Sequence, residues 1–486
     1  MDGINIPEAG TVAACKMLIG GEWKPARSGQ VVESINPATE EVIATVPHAA
    51  EADIDDAVQS GKEAFKVWRT YSWKKRQRIL LELADRMKEH VERFALLDTI
   101  DSGNPYTGML GDAEKAPDEI RYFAHLASEL KGTTFEAGDD IVCYSVREPF
   151  GVVGRIIPFN HPYRFAAKIA PALAAGNAVI LKPGETTSLS ALEFGKLFDG
   201  LLPPGLVNVV TGLGHTCGSA IVRHPEIMRV AFTGSVPTGK AIMREAADHM
   251  KRLSLELGGK NPMIVFPDVD LDKATTGCIK GMNLARSMGQ SCQSNSRVFV
   301  HDKIYDRFIE QLVVKVEKLK IGDPRDEKTV IGPVNNKRQF ERILGFIESA
   351  KSEGANLATG GKRAFNKGYF VEPTVFTNVS MKMRIAKEEI FGPVVSLFRW
   401  TDFDAMMAEA NATEYGLTAN IWTNDLTSAN KTAKQVQSGL VWINGAGGRP
   451  PGIPFGGYKS SGIGKEGDLS DLLSYTQEKT IVTNLL

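Results

Sequence analysis

From residue 151 onward the chain repeats one unit, a short apolar run followed by a helix-like stretch. The runs fall at 152–157, 178–181, 206–210, 229–233 and 252–255, and they are largely apolar rather than alternating. An alternating strand hides one face, whereas a continuous apolar run hides both. That pattern belongs to a parallel sheet covered by helices on each side, so it predicts an α/β fold of Rossmann type. The rhythm resumes at 263–266, 298–300, 394–398 and 417–422. Two α/β units in series, joined near 256–262, are the simplest account, and 486 residues provide ample chain for both. Residues 52–130 read as mostly helical, with apolar positions three and four apart in 78–87. The stretches 131–148 and 475–484 alternate like strands but have no core of their own. They read either as a small β arm reaching another subunit or as a local sheet edge.

Composition removes several function classes. A formal net charge of −1 offers no basic field for nucleic acid. The longest largely apolar run, 169–181, is broken by Gly176 and Asn177 and is too short to span a membrane. Five cysteines form no Cys-x-x-Cys pair, and eight histidines show no ligand spacing, so no metal site is expected. Sparse, unpaired cysteines fit a reducing compartment, and residues 1–5 lack the positive start of a secretory signal. The expectation is a cytoplasmic protein.

Chemistry concentrates at a few positions. Cys292 lies among small and polar residues in Met288-Gly289-Gln290-Ser291-Cys292-Gln293-Ser294-Asn295, as a nucleophile must to be reached. Glu256 opens the turn-rich run Glu256-Leu257-Gly258-Gly259-Lys260-Asn261-Pro262 and is a candidate base for activating water. Thiol and carboxylate together point to covalent catalysis through a thioester. A buried structural cysteine beside an ordinary loop glutamate is the bland alternative. Asn160 follows the first apolar run, where its amide can donate to a developing oxyanion or merely shape a turn. Lys182 and Glu185 follow the second run, at the edge that faces the ligand crevice of an open α/β sheet. Two glycine patterns compete for a dinucleotide phosphate. One is Gly212-Leu213-Gly214-His215-Thr216-Cys217-Gly218, whose last spacing is one residue too long. The other is Phe232-Thr233-Gly234-Ser235, which opens a helix and is the stronger candidate.

Taken in order, Pro158-Phe159-Asn160-His161-Pro162, Lys182-Pro183-Gly184-Glu185, Phe232-Thr233-Gly234-Ser235, Glu256-Leu257-Gly258-Gly259-Lys260, Gly289-Gln290-Ser291-Cys292, Glu388-Glu389-Ile390-Phe391-Gly392-Pro393 and Pro454-Phe455-Gly456-Gly457-Tyr458-Lys459 resemble the NAD(P)-dependent aldehyde dehydrogenase superfamily over nearly the whole chain. The resemblance implies Cys292 as nucleophile, Glu256 as general base, and Asn160 with the Cys292 amide as oxyanion hole. Lys168 and Glu466 match positions proposed as a proton relay or accessory base. NAD, rather than NADP, would lie on Ile157, Pro158, Lys182, Glu185, Gly214, Phe232, Gly234, Ser235, Leu257, Glu389 and Phe391. It further implies a discontinuous cofactor domain (1–130 and 149–257), a catalytic domain (258–470) and an oligomerisation arm (131–148 and 471–486) in a homodimer or homotetramer.

Retention of Glu256 points to hydrolysis of the thioester rather than transfer to coenzyme A. Rival classes are a thiol-dependent esterase and a catalytically silent protein of the same fold. The segment from Asn160 to Pro171-Ala172-Leu173 is one residue short of the family pattern, which would shift the helix bearing Lys168. The small residues usual after the nucleophile are replaced by Gln293-Ser294-Asn295, and the aromatic-rich stretch before it reads Met282-Asn283-Leu284-Ala285-Arg286-Ser287-Met288 instead. These last two departures touch the substrate pocket, where His161, Arg164, Ser291, Gln293, Arg449 and Phe455 are the expected lining. Arg449, in a loop of small residues, reads either as a solvated loop residue beside Pro450-Pro451 or as a clamp for a distal acid, which would make a semialdehyde or another bulky polar or aromatic aldehyde the expected substrate.

Overall fold

The computed structural model describes residues 12–485; the targeting reading at 1–5 lies outside the described residues. All five apolar runs between 152 and 255 become parallel strands of one sheet. Their spatial order is Arg252–Glu256, Ile227–Thr233, Val152–Ile156, Ala178–Lys182, Val207–Val209. The middle strands are buried along their whole length, as two-sided helical cover requires. Short antiparallel strands close both edges: Gly462–Ile463 beside Arg252–Glu256, and Met17–Ile19 with Glu22–Lys24 at the far side.

A second sheet runs in the order Asn356–Thr359, Thr374–Thr377, Val394–Trp400, Arg297–His301, Pro262–Val265, Thr418–Trp422, Leu440–Ile443, parallel except for the first strand. Four of these match the expected runs. Asn356–Thr359 escaped the pattern because it is a partly exposed edge with no continuous apolar signal, whereas Leu440–Ile443 is an apolar run that the sequence reading passed over although it forms the opposite, half-exposed edge. Thr374–Thr377 is buried, but it is hidden between Pro373 and Asn378, both turn formers.

Helices Glu51–Trp68, Trp73–Glu89, Val91–Ser102 and Tyr106–Leu126 account for the helical reading of 52–130. The two coreless stretches turn out to be each other's partners. Thr476–Asn484 pairs antiparallel with Ile141–Pro149 along its full length, and Thr134–Phe135 adds a third strand. Phe135, Val142 and Val482 stay exposed on this small sheet.

Asn177 ties that sheet to the central one. Its amide donates to the carbonyls of Tyr475 at 3.0 Å and Ala172 at 3.2 Å, and its oxygen accepts the Gly151 N–H at 3.1 Å, all in full burial. Leaving such groups unpaired costs about 1–3 kcal/mol each. Asn177→Ala should therefore lower unfolding stability by about 2–4 kcal/mol in a denaturant titration, and a loss below about 0.5 kcal/mol would contradict this accounting.

Candidate active site

Every carboxyl end of the first parallel sheet carries a residue singled out by sequence. Asn160 follows Val152–Ile156, Lys182 and Glu185 follow or end Ala178–Lys182, and Gly214 lies beyond Val207–Val209. Gly234 and Ser235 follow Ile227–Thr233, and Glu256 ends the last strand. Chain order reverses between Val152–Ile156 and Ile227–Thr233, so the crevice of a doubly wound sheet opens among these ends. Six residues after Glu256 the chain enters Pro262–Val265 of the second sheet. Cys292 precedes Arg297–His301, and Glu389 precedes Val394–Trp400. The amino ends of the second sheet thus face the carboxyl ends of the first.

Two asparagines hold the cysteine loop across that junction. Asn160 Nδ2 donates to the Gln290 carbonyl at 2.9 Å, and its own carbonyl accepts from Asn104 at 2.8 Å. Asn261 donates to the carbonyls of Cys292 at 2.8 Å and Ser294 at 2.9 Å. Ser294 and Asn295 face into the scaffold, bonded to Met282, Gly289 and Met263. Burial foremost, then the Glu256 and Glu389 carboxylates, push the Cys292 thiol up to about 12.

Glu256 is buried with neither carboxylate oxygen hydrogen-bonded. A side chain at Gly456 would place its Cβ 2.7 Å from Oε1, so the glycine leaves room at the carboxylate. Burial, then the charge of Glu466, holds the Glu256 carboxyl well above the usual range. Glu466 is also buried, but it accepts from Arg155 at 2.5 Å and from Lys168 at 2.6 Å. Burial opposes its ionisation, yet those two cations outweigh it and draw its pKa well below normal. A 3₁₀ turn, Ala167–Ile169, stands between two five-residue helices, and from it Lys168 reaches Glu466.

On the cofactor side, Ile157 is buried with its N–H on the Lys182 carbonyl, and Pro158 passes close to Gly184. Buried Lys182 donates to the Pro183 carbonyl at 2.9 Å, and desolvation lowers its pKa. Exposed Glu185 accepts the Gly214 N–H at 3.1 Å. Ser235 caps the helix Val236–Ala247, with Gly234 packed on the Phe232 ring and Leu257 buried nearby. Glu389 accepts the Gly259 N–H at 2.9 Å, and a Cβ at Gly258 would collide with its carboxylate. Phe391 has φ of +59° and meets Phe159 edge-on. Gln339 and Arg342, which the sequence did not single out, pin the 389–391 backbone through its carbonyls. An exposed carboxylate, a capped helix start and an aromatic gate fit a dinucleotide laid across these strand ends.

Residues 23–481 match the model of the aldehyde dehydrogenase family. The chain belongs to that family. It is 44% identical over 474 residues to aldehyde dehydrogenase 1 of Tanacetum cinerariifolium, covering 96% of this chain and 95% of that one. The NAD+ complex of an aldehyde dehydrogenase from Bacillus cereus superposes with a TM-score of 0.95 at 42% identity, covering 97% of each chain. An NADP-dependent enzyme of E. coli gives 0.94 at 34% identity, covering 97% of this chain and 98% of that one.

Next to Asn160, polar side chains gather on one buried carboxylate. His161 Nδ1 lies 2.7 Å from the buried Asp112 carboxylate, and Arg164 donates to Asp112 at 3.1 Å. Arg286 touches Asp112 as well. Burial keeps His161 neutral, with its pKa lowered to about 3, so Nδ1 is an N–H donor rather than half of an ion pair. Asp112 escaped notice because a lone aspartate in a long helix reads as solvated. Its place between Met109, Ala113 and Ala116 on the buried face was the available signal. Arg449 donates to the Ile453 carbonyl at 2.6 Å and sits 5.0 Å over the Phe455 ring. Ser291 is buried and accepts the Gln293 N–H at 3.3 Å.

A thiol raised this far reacts only through its small thiolate fraction. In the cofactor-free protein, alkylation of Cys292 by iodoacetamide should keep accelerating with pH beyond pH 10; a plateau below pH 8 would contradict the desolvated setting.

Proposed function

We propose that this chain oxidises an aldehyde to a carboxylic acid, with NAD as oxidant, through a thioester on Cys292. The observation that carries the reading is Glu256, a buried carboxylate with no hydrogen-bond partner in the site that holds the thiol. NAD bound along the strand ends would supply the hydride acceptor. Everything else falls to the protein.

The Cys292 sulfur attacks the carbonyl carbon, and the carbonyl π electrons move onto oxygen. Asn160 Nδ2 and the Cys292 N–H donate to that oxyanion. Asn160 is already oriented by its bond to Gln290, so little reorganisation is needed. Hydride loss leaves the acyl group on sulfur. Water then adds to the thioester carbon as its proton passes to Glu256, and the C–S bond breaks to restore the cysteine. Desolvation makes Glu256 a stronger base once it is ionised. Glu466 is held too acidic by Arg155 and Lys168 to serve as a base. Its fixed negative charge instead favours proton capture by Glu256.

The same reading divides the chain into a cofactor domain (1–130 and 149–257), a catalytic domain (258–470) and an arm (131–148 and 471–486). Exposed Phe135, Val142 and Val482 on the arm's sheet support its use between subunits of a homo-oligomer. Among the described residues every cysteine is free, in keeping with a reducing cytoplasm. No described helix is long and apolar enough to cross a membrane.

Because burial raises the Glu256 pKa, the ionised fraction grows as pH rises. When deacylation limits turnover, kcat should keep climbing with pH above the usual carboxylate range. Glu256→Gln should flatten that slope, keep a burst of about one reduced NAD per site, and slow steady turnover about 10²–10⁴-fold. Loss of the burst itself would move Glu256 to thiol activation.

Glu185 stands exposed where the adenosine ribose would rest, and a 2′-phosphate there would be repelled. The unmodified protein should favour NAD over NADP, and Glu185→Gln should narrow the preference. Equal use of both cofactors before mutation would defeat this assignment.

A further inference from the structure

Resting on the dehydrogenase reading, we propose that Arg164 and Arg286, aligned by the buried carboxylate of Asp112, select aldehydes that carry a distal carboxylate. The placement comes first. Arg164 lies four residues beyond Asn160, and Arg286 lies six residues before Cys292. The two segments are already joined by the Asn160–Gln290 hydrogen bond. The guanidiniums therefore stand on the same two pieces of chain that offer the oxyanion donor and the nucleophile. The helix Tyr106–Leu126 forms the wall behind them. Gly108 packs on the Arg286 backbone, Asp112 meets both arginines, and Tyr122 packs against the loop at Gly452.

The charges do not cancel. Asp112 is a single carboxylate facing two guanidiniums, and the third group on it, His161, is neutral. One positive charge is left in excess at a half-buried wall, where it is poorly screened. Each guanidinium has five N–H donors, and Asp112 engages only part of each fork. Both side chains keep about a third or less of their surface exposed, at 31% for Arg164 and 27% for Arg286. Donors fixed from behind and open in front form a two-point receptor for a planar carboxylate. Glu119, on the same helix, acts on Arg164 and Arg449 and offsets part of their field. Arg449 has one N–H committed to Ile453 and its plane set over Phe455, so it closes the loop more than it opens toward a ligand.

The test uses the full chain with NAD and two probes of equal length, pentanal and 5-oxopentanoate. The kcat/KM ratio of acid to neutral probe should exceed about tenfold, the value of one charge-assisted contact. Arg286→Met and Arg164→Met should each cut that ratio about tenfold, and Arg286→Lys should cut it less, because charge survives while the fork is lost. The ratio is independent of how much protein folds. Glutarate, which has no aldehyde, should slow alkylation of Cys292 by iodoacetamide in the unmodified protein and not in Arg286→Met. A ratio at or below one, a ratio unchanged in both Met variants, or no protection by glutarate overturns the proposal. Protection without turnover of either aldehyde would uphold the anion site and overturn the dehydrogenase reading instead.

Discussion

Burying the Glu466 carboxylate between Arg155 and Lys168 fixes the geometry and the electrostatics of this site together. Arg155 belongs to the central strand Val152–Ile156, Lys168 to the segment after Asn160, and Glu466 to the stretch bonded through its backbone to Phe455. One carboxylate therefore pins three distant parts of the chain around Glu256. Removing a single partner from such a buried pair typically costs about 3–5 kcal/mol, because the remaining charge is stranded. The pair has a second effect. Since the cations touch Glu466 and not Glu256, they settle which of two neighbouring carboxyls is ionised, and they leave Glu256 poised to take a proton.

The meeting of two sheets supplies the rest. A chain that leaves one sheet at Glu256 and enters the next at Pro262 must bring strand ends face to face across a short, glycine-containing turn. Side chains reach across that junction to hold it, two of them amides. Asn160 and Asn261 donate to carbonyls of the cysteine loop, which turns a flexible segment into a fixed one. Glu389 reaches back over the same turn to the Gly259 N–H. Positioning by neutral donors leaves burial and the neighbouring carboxylates as the main influences on the thiol, with Lys168 a smaller opposing one.

Legibility in the sequence followed the physics of burial. Strands covered on both faces announced themselves as apolar runs, and all nine expected runs became strands. The half-exposed edge Asn356–Thr359 and the two-residue Gly462–Ile463 carry no such signature. Cys292, Glu256 and Asn160 stood out because they occupy turn-rich motifs. Asp112 and Arg286 did not, since charge on a helix normally means solvent, and only the fold shows that both point inward. The alternation of 141–149 and 476–484 marked both as strands, but not that they pair with each other within one chain, because more than 300 residues separate them.

The central claim is that oxidation proceeds through an acyl group on Cys292. Rapid acid quench of the working protein with NAD and aldehyde, followed by peptide mass analysis, tests it most directly. The account predicts that the peptide containing Cys292 gains the mass of the aldehyde less two hydrogens, that hydroxylamine releases the adduct, and that no adduct forms when NAD is withheld. Steady production of acid with Cys292 never modified, or with the adduct on another cysteine, would contradict it.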